Sequence, residues 1–182
     1  MTEKELLAIM RPEGDLREGF REFLNRYVPK NAMFAEIGCF AGAATEMILD
    51  HCTEGFVYAI DSWNPEYYDK QWDMVEVEKC FDRLRPRYKN LEKIKLSSLD
   101  AVSLFSTVPT LNVVYIDAEH DYENVRADIK AWSPLVTEYG IISGHDFVKS
   151  WPGVLRAVNE LCLPYTTFRD STWVHIKGSY NA

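Results

Sequence analysis

Two histidines and several acids stand where short apolar runs give out. Asp61 closes Phe56-Val57-Tyr58-Ala59-Ile60, and Asp117 closes the run from Leu111 to Ile116. His120 follows shortly after, and His145-Asp146 follow Gly140-Ile141-Ile142-Ser143-Gly144. Open α/β sheets bind ligands at the carboxyl ends of their strands. Acids and imidazoles at such ends can therefore act on a bound molecule. An imidazole with an ordinary pKa of about 6.5 can take a proton from a hydroxyl at neutral pH. A divalent cation held by paired carboxylates achieves the same end by lowering the hydroxyl's pKa. His120 and His145 are thus the candidate bases, and Asp117 with Asp146 the candidate catalytic acids and metal pair. The plainer alternative for His120 is a hydrogen bond that fixes a strand-to-helix turn. For Asp117 it is a turn role or a contact with a cofactor.

A second constellation is built for binding. Phe34-Ala35-Glu36-Ile37-Gly38-Cys39-Phe40-Ala41-Gly42-Ala43-Ala44-Thr45 reads as a buried strand, a tight turn on two glycines and the start of a helix. Such a turn presents backbone N–H groups and a positive helix end to a ligand. Strand, glycine turn, helix, strand and acid together form the layout of a nucleoside-binding crevice. A dinucleotide fingerprint needs G-x-G-x-x-G. Here Cys39, Phe40 and Ala41 separate the glycines, and Phe40 would crowd a pyrophosphate. No G-x-x-x-x-G-K-[ST] phosphate loop is present. The competing explanation is simple packing, since G-x-x-x-G after a strand is common.

These residues need a scaffold, and the apolar pattern supplies one. Leu16, Phe20, Phe23, Leu24 and Tyr27 share a helix face ended by Pro29, either covering the sheet or forming a lid. Strands are expected at Met33 to Ile37, from Gly55, at Ile94 to Leu96, at Leu111 to Ile116 and at Gly140 to Gly144. Helices are expected at Ala43 to His51, Gln71 to Arg85, from the Asp121 cap through Trp132, and from Trp151 to Leu161. Tyr165 to Phe168 and Thr172 to Ile176 form a closing hairpin. Ser62 and Trp63 open an aromatic loop that either flanks a ligand or packs as a satellite cluster on a helix. Ser97 and Ser98 precede a helix that a serine can cap.

The turn resembles motif I of class I S-adenosylmethionine-dependent methyltransferases. The run from Val114-Tyr115-Ile116-Asp117-Ala118-Glu119-His120-Asp121-Tyr122, with Gly144-His145-Asp146 and Trp151-Pro152-Gly153, resembles a small-molecule O-methyltransferase group bearing I-D-x-x-H-x-Y and G-H-D boxes. The resemblance runs from about Met33 to Ile176. It implies an α/β, Rossmann-like doubly wound, mostly parallel seven-stranded sheet with a C-terminal antiparallel hairpin, strands one and four at its centre. It implies that Glu36, Gly38, Cys39, Phe40 and Gly42 hold the methionyl part of S-adenosyl-L-methionine. Asp61 would accept both ribose hydroxyls, with Ser62 and Trp63 beside the nucleoside and Ser97 and Ser98 near the adenine amino group. Asp146 aligns with a metal aspartate of catechol-type enzymes, which favours a cation such as Mg; their next ligand, an asparagine, is Phe147 here. The expected reaction is methyl transfer to oxygen of a small-molecule acceptor. Two rivals remain, a nicotinamide-dependent oxidoreductase and a non-catalytic nucleoside-binding module.

Composition narrows the partners. The 182 residues suit a single domain, with residues 1–30 as a helical cap and 33–176 as the core. A net charge of −8 disfavours nucleic acid and an acidic membrane surface, both of which call for a basic face. Cys39, Cys52, Cys80 and Cys162 have no C-x-x-C pairing, as expected of reduced thiols in a cytoplasmic protein. No secretory signal or membrane span is evident. An exposed aromatic loop could serve a homo-oligomer interface.

Overall fold

The apolar, β-branched run Leu111–Ile116 forms β4, buried on both faces as a central parallel strand must be. A computed structural model describes residues 17–66 and 72–178. Leu16 and residues 67–71, which include the expected start of a helix at Gln71, lie outside the described residues. The other strands are β1 (Met33–Ile37), β2 (Phe56–Asp61), β3 (Leu91–Lys95), β5 (Val136–Gly144), β6 (Thr166–Thr167) and β7 (Trp173–Ile176). They form one sheet in the order β3-β2-β1-β4-β5-β7-β6. All neighbours are parallel except β7, which runs antiparallel to β5 and β6. Strands β1 and β4 lie side by side at the centre, where the chain reverses its direction of winding. That is the crevice position of a doubly wound sheet.

Helices cover both faces: α1 (Glu18–Tyr27), α2 (Ala43–His51), α3 (Met74–Asp82), α4 (Ser98–Val102), α5 (Tyr122–Trp132) and α6 (Pro152–Leu161). Alternate residues of β4 feed opposite layers. Val114 and Ile116 pack with Val125, Ile129 and Trp132 of α5 and Val154, Ala157 and Val158 of α6. Val113 and Tyr115 pack with Phe20, Phe23 and Leu24 of α1 and Ile48 and Leu49 of α2. The Phe20 ring lies 4.7 Å from the Tyr115 ring, so α1 covers the sheet. Truncating Phe20 or Phe23, both fully buried, would cost about 3–5 kcal/mol. Helix α1 is also tied at its start, where the Phe20 N–H donates to Asp170 Oδ2 at 2.6 Å.

Several boundaries differ from the sequence expectation for identifiable reasons. Helix α3 begins at Met74 because Asp73 caps it, accepting from Val75 N–H at 3.0 Å and Glu76 N–H. Strand β3 starts at Leu91 rather than Ile94. It is an edge strand in which Glu92, Lys93 and Lys95 interrupt the apolar signal. Strand β5 starts at Val136, well before Gly140. Trp63 is not an exposed platform: it is 2% exposed and packs with Met74, Val77, Phe81 and Leu84. The aromatic loop therefore begins as a satellite core on α3, the second of its two expected forms. All four cysteines are buried and none is in a disulfide. Among the described residues, no helix is long and apolar enough to cross a membrane.

Candidate functional site

Backbone hydrogen bonds carry the sheet pattern past the strand ends and gather the candidate residues. Gly38 N–H donates to Ile60 O at 2.8 Å, Asp117 N–H to Ile37 O at 2.8 Å, and His145 N–H to Ile116 O at 3.2 Å. The segments after β1, β2, β4 and β5 therefore meet at one edge. Gly38 has φ +86, and a Cβ there would lie 2.3 Å from Asp117 O. Glycine is required because the segment after β4 passes so close. Gly42 has φ +89, but an added Cβ would meet Leu84 Cδ1 at 2.7 Å. Its Cα therefore packs close to the Phe81 and Leu84 side chains at the end of α3.

Asp61 organises this turn. Its Oδ2 accepts from Cys39 N–H at 3.0 Å and Phe40 N–H at 2.9 Å, and its Oδ1 from Trp63 N–H at 2.8 Å. The Trp63 indole N–H donates to Phe40 O at 2.8 Å. Phe40 (φ 46) and Trp63 (φ 44) are held in left-handed backbone by this lattice. Expected at the ribose hydroxyls, Asp61 here engages the backbone of its own turn through both carboxylate oxygens. The residue is buried, 5% exposed.

The turn, the start of α2 and the segment after β4 border a cleft of about 250 Å³, partly open to solvent. Glu36, Gly38, Cys39, Phe40, Asp117 and His120 line it together with Arg17 and small alanines. Glu36 is 1% exposed and accepts a hydrogen bond from Thr45 Oγ1 at 2.5 Å. Burial pushes its carboxyl up to about 8, opposed by the Thr45 hydrogen bond and reinforced by the charge of Asp117. Glu36 thus holds its proton at neutral pH when the cleft has no cation in it. Cys39 is buried, its thiol turned towards the carbonyls of Glu36 and Ile60.

Beside the cleft, Asp117, His120 and Asp146 offer ligand atoms that all lie within 4.8 Å of one another. His120 Nε2 is 2.6 Å from Asp146 Oδ2, and His145 Nδ1 is 3.5 Å from the same oxygen. Asp146 sits in left-handed backbone (φ 58), which aspartate tolerates better than most residues. Burial alone would lower the His120 pKa, but the hydrogen bond and charge of Asp146, with Asp117 and Glu119, outweigh it and raise it. His145 is raised by the same opposition. Burial raises Asp146, yet its contacts with both imidazoles pull it well below the usual carboxylate range. The arrangement is an imidazole–carboxylate pair in which the carboxylate favours the protonated form of the ring.

The four expected catalytic residues are thus together, and Glu36, Gly38, Cys39 and Phe40 share the adjoining cleft. The others are engaged elsewhere. Ser62 Oγ accepts from Asn64 N–H at 3.2 Å. Ser97 caps α4, accepting from Asp100 N–H at 3.2 Å. Ser98 Oγ donates to buried Asp128 and accepts from the Trp132 indole N–H. Capping explains Ser97, and a buried network explains Ser98.

Three residues were not singled out from sequence. Thr45 holds Glu36. Trp151 stacks on His120 with ring centroids 4.4 Å apart and planes at 23°. Its signal was Gly153: a Cβ there would lie 2.4 Å from His120 O, so glycine lets α6 reach the His120 turn. Arg17, which lines the cleft, precedes an ordinary amphipathic helix and carries no motif.

A family model described as a methyltransferase domain matches residues 35–147. No curated protein matches the chain by sequence. Among solved structures, cofactor-bound Rv0187 from MTB aligns with a TM-score of 0.64 at 17% identity, covering 97% of this chain and 89% of that one. The TDP-rhamnose 3'-O-methyltransferase CalS11 of calicheamicin biosynthesis aligns at 0.63 and 14% identity, covering 97% and 93%. The N-methyltransferase NodS of Bradyrhizobium japonicum WM9, in complex with S-adenosyl-L-homocysteine, aligns at 0.59 and 15% identity, covering 94% of each chain. These likenesses establish a shared fold.

Proposed function

The chain belongs to the methyltransferase-domain family, matched over residues 35–147, and on that premise we propose that it methylates an oxygen of a small-molecule acceptor. It is an S-adenosylmethionine-dependent methyltransferase of Rossmann-like fold; the acceptor and the roles of individual residues are our own reading. One observation carries it. The His120–Asp146 pair, with its 2.6 Å contact, adjoins the cleft that Glu36, Gly38 and Phe40 border. A nucleoside cleft beside a proton-accepting pair suits a hydroxyl acceptor. In the solved neighbours the acceptor atom varies, oxygen in CalS11 and nitrogen in NodS. The preference for oxygen therefore rests on this pair and not on the fold.

S-adenosylmethionine supplies an activated methyl group that leaves its sulfonium by in-line displacement. The chain supplies the alignment and takes the proton. Glu36 and the turn after β1 hold the methionyl end. Asp61 keeps the turn in shape through three backbone hydrogen bonds. His120 donates from Nε2 to Asp146, which leaves Nδ1 as the acceptor for the substrate hydroxyl proton. Asp146 then stabilises the imidazolium, and Trp151 holds the ring plane by stacking. His145 shares Asp146 and supports its charge.

Asp117, His120 and Asp146 also suit a divalent cation by donor type and spacing, two carboxylates and an imidazole. Such an ion would lower the acceptor's pKa, with Asp117 and Asp146 as its anionic ligands. Residues 33–176 carry both subsites in this reading, and the net charge of −8 favours a small acceptor over nucleic acid.

The test is methyl transfer to a panel of sugar, phenol, carboxylate and amine acceptors across pH, with magnesium or with chelator. Hydroxyl acceptors are expected to react, with kcat/KM rising through a pKa above the ordinary histidine value. Removing the anion that favours the imidazolium lowers that pKa. Asp146→Asn should therefore move the acid limb to lower pH and reduce the plateau about 10–100-fold. Turnover of amines alone, or an unmoved limb in Asp146→Asn, would refute the assignment.

A further inference from the structure

Among the described residues, Arg17 is the one arginine or lysine that lines the cleft. Its Nη1 is buried and has no hydrogen-bond partner among the described residues. A buried guanidinium nitrogen with no acceptor is unfavourable unless a ligand completes it. Its neighbours do not supply that acceptor. Glu36 is engaged by Thr45 and carries a proton at neutral pH, so it offers Arg17 no full ion pair. The Arg17 backbone is held firmly. Its carbonyl accepts from Arg21 N–H at 3.0 Å within α1, and α1 is fastened to Asp170 through Phe20 N–H. At Gly19 an added Cβ would lie 2.2 Å from Asp170 Oδ1, so this contact leaves no room for a larger residue.

The charges of the cleft then define its ligand. One fixed cation, Arg17, shares it with two acids, Glu36 and Asp117. A phosphate dianion would meet the Asp117 side chain and gain nothing from the neutral Glu36 carboxyl, whereas an α-amino acid zwitterion offers a carboxylate to Arg17 and an ammonium to both acids. Its carboxylate matches the planar guanidinium fork, and its ammonium meets the acids. We propose that Arg17 is the anchor for the methionyl carboxylate of the cofactor, with Glu36 and Asp117 facing the neighbouring ammonium. The assignment rests on the methyltransferase reading and adds a cofactor-binding residue from outside the matched region.

Two ligands separate the carboxylate from the rest of the cofactor: S-adenosylhomocysteine and its decarboxylated analogue 5'-(3-aminopropylthio)adenosine. Calorimetric titration of the full chain, as wild type, Arg17→Ala and Arg17→Lys, gives the decisive comparison. Wild type is expected to prefer S-adenosylhomocysteine by about 10–100-fold, the range of a charge-assisted hydrogen bond. Arg17→Ala should lose that preference and bind the analogue as wild type does, which also shows that the cleft is folded. Arg17→Lys, keeping the charge without the fork, should fall between them. Unchanged S-adenosylhomocysteine affinity in Arg17→Ala would overturn the assignment, as would an equal loss for both ligands. A raised KM for the acceptor with unchanged cofactor affinity would overturn it too, since Arg17 would then serve the acceptor. Wild type binding neither ligand would overturn the methyltransferase reading itself, a result distinct from all of these.

Discussion

At the scale of single residues, the site depends on charge held against burial. Glu36 is the clearest case, because its folded pKa of about 8 lies far above its ordinary 4.5. Between those two values the folded chain keeps a proton that the unfolded chain releases. Stability attributable to Glu36 is therefore greatest below pH 4.5 and declines as pH rises to about 8. Glu36→Gln removes this dependence while Thr45 can still donate to the amide oxygen. The free variant is expected to melt several degrees above wild type at about pH 9 and near it at about pH 5. The same variant should bind S-adenosylhomocysteine more weakly, having lost the carboxylate that meets an ammonium. Equal Tm differences at both pH values would show that Glu36 is ionised in the free protein. Within the His120–Asp146 pair the two shifts run in opposite directions, and His120 follows the same sense as Glu36. His120, raised above 6.5, stabilises most fully below that pH and loses its contribution as pH rises through its folded pKa. Asp146, lowered below 3.8, contributes fully above that value and loses it on acidification.

At the scale of elements, the sequence was informative where a pattern is local and silent where contacts are distant. The central strands were legible because β1 and β4 are apolar runs buried on both faces. Edge strand β3 was legible only in part, since its charged residues break that pattern. Strand ends also revealed Asp117, His120, His145 and Asp146 as a group, because sheet topology alone brings such ends together. Sequence left Trp63 between two forms for a complementary reason: its burial depends on α3, which no local pattern links to it. Arg17 and Trp151 reach the site through tertiary contacts made by α1 and α6. Gly153 was the only visible trace of the second. Asp61 belongs at this scale too, because its three described bonds fasten the turn after β1 to the turn after β2. Asp61→Ala should destabilise the chain by about 2–4 kcal/mol in urea unfolding and weaken cofactor binding with it. Lost binding with unchanged stability would mean that Asp61 acts on the ribose and not on the turn.

At the scale of the whole molecule, one sheet serves two tasks by dividing its carboxyl edge. The ends of β1 and β2 build the turn that borders the cleft, and the ends of β4 and β5 carry the acids and imidazoles. The shared boundary is Asp117, whose backbone lies against Gly38 and whose side chain joins the His120 cluster. A fold of this kind accommodates other nucleotides in other proteins. What separates this chain from a dinucleotide binder is Phe40 and the three-residue glycine spacing, which leave a pyrophosphate no backbone cradle. The most direct measurement is calorimetric titration of the protein with S-adenosylhomocysteine, with NADH as the control. Micromolar binding of the sulfur nucleoside and none of NADH is expected. NADH binding without S-adenosylhomocysteine binding would contradict the methyltransferase assignment and make the cleft a dinucleotide site.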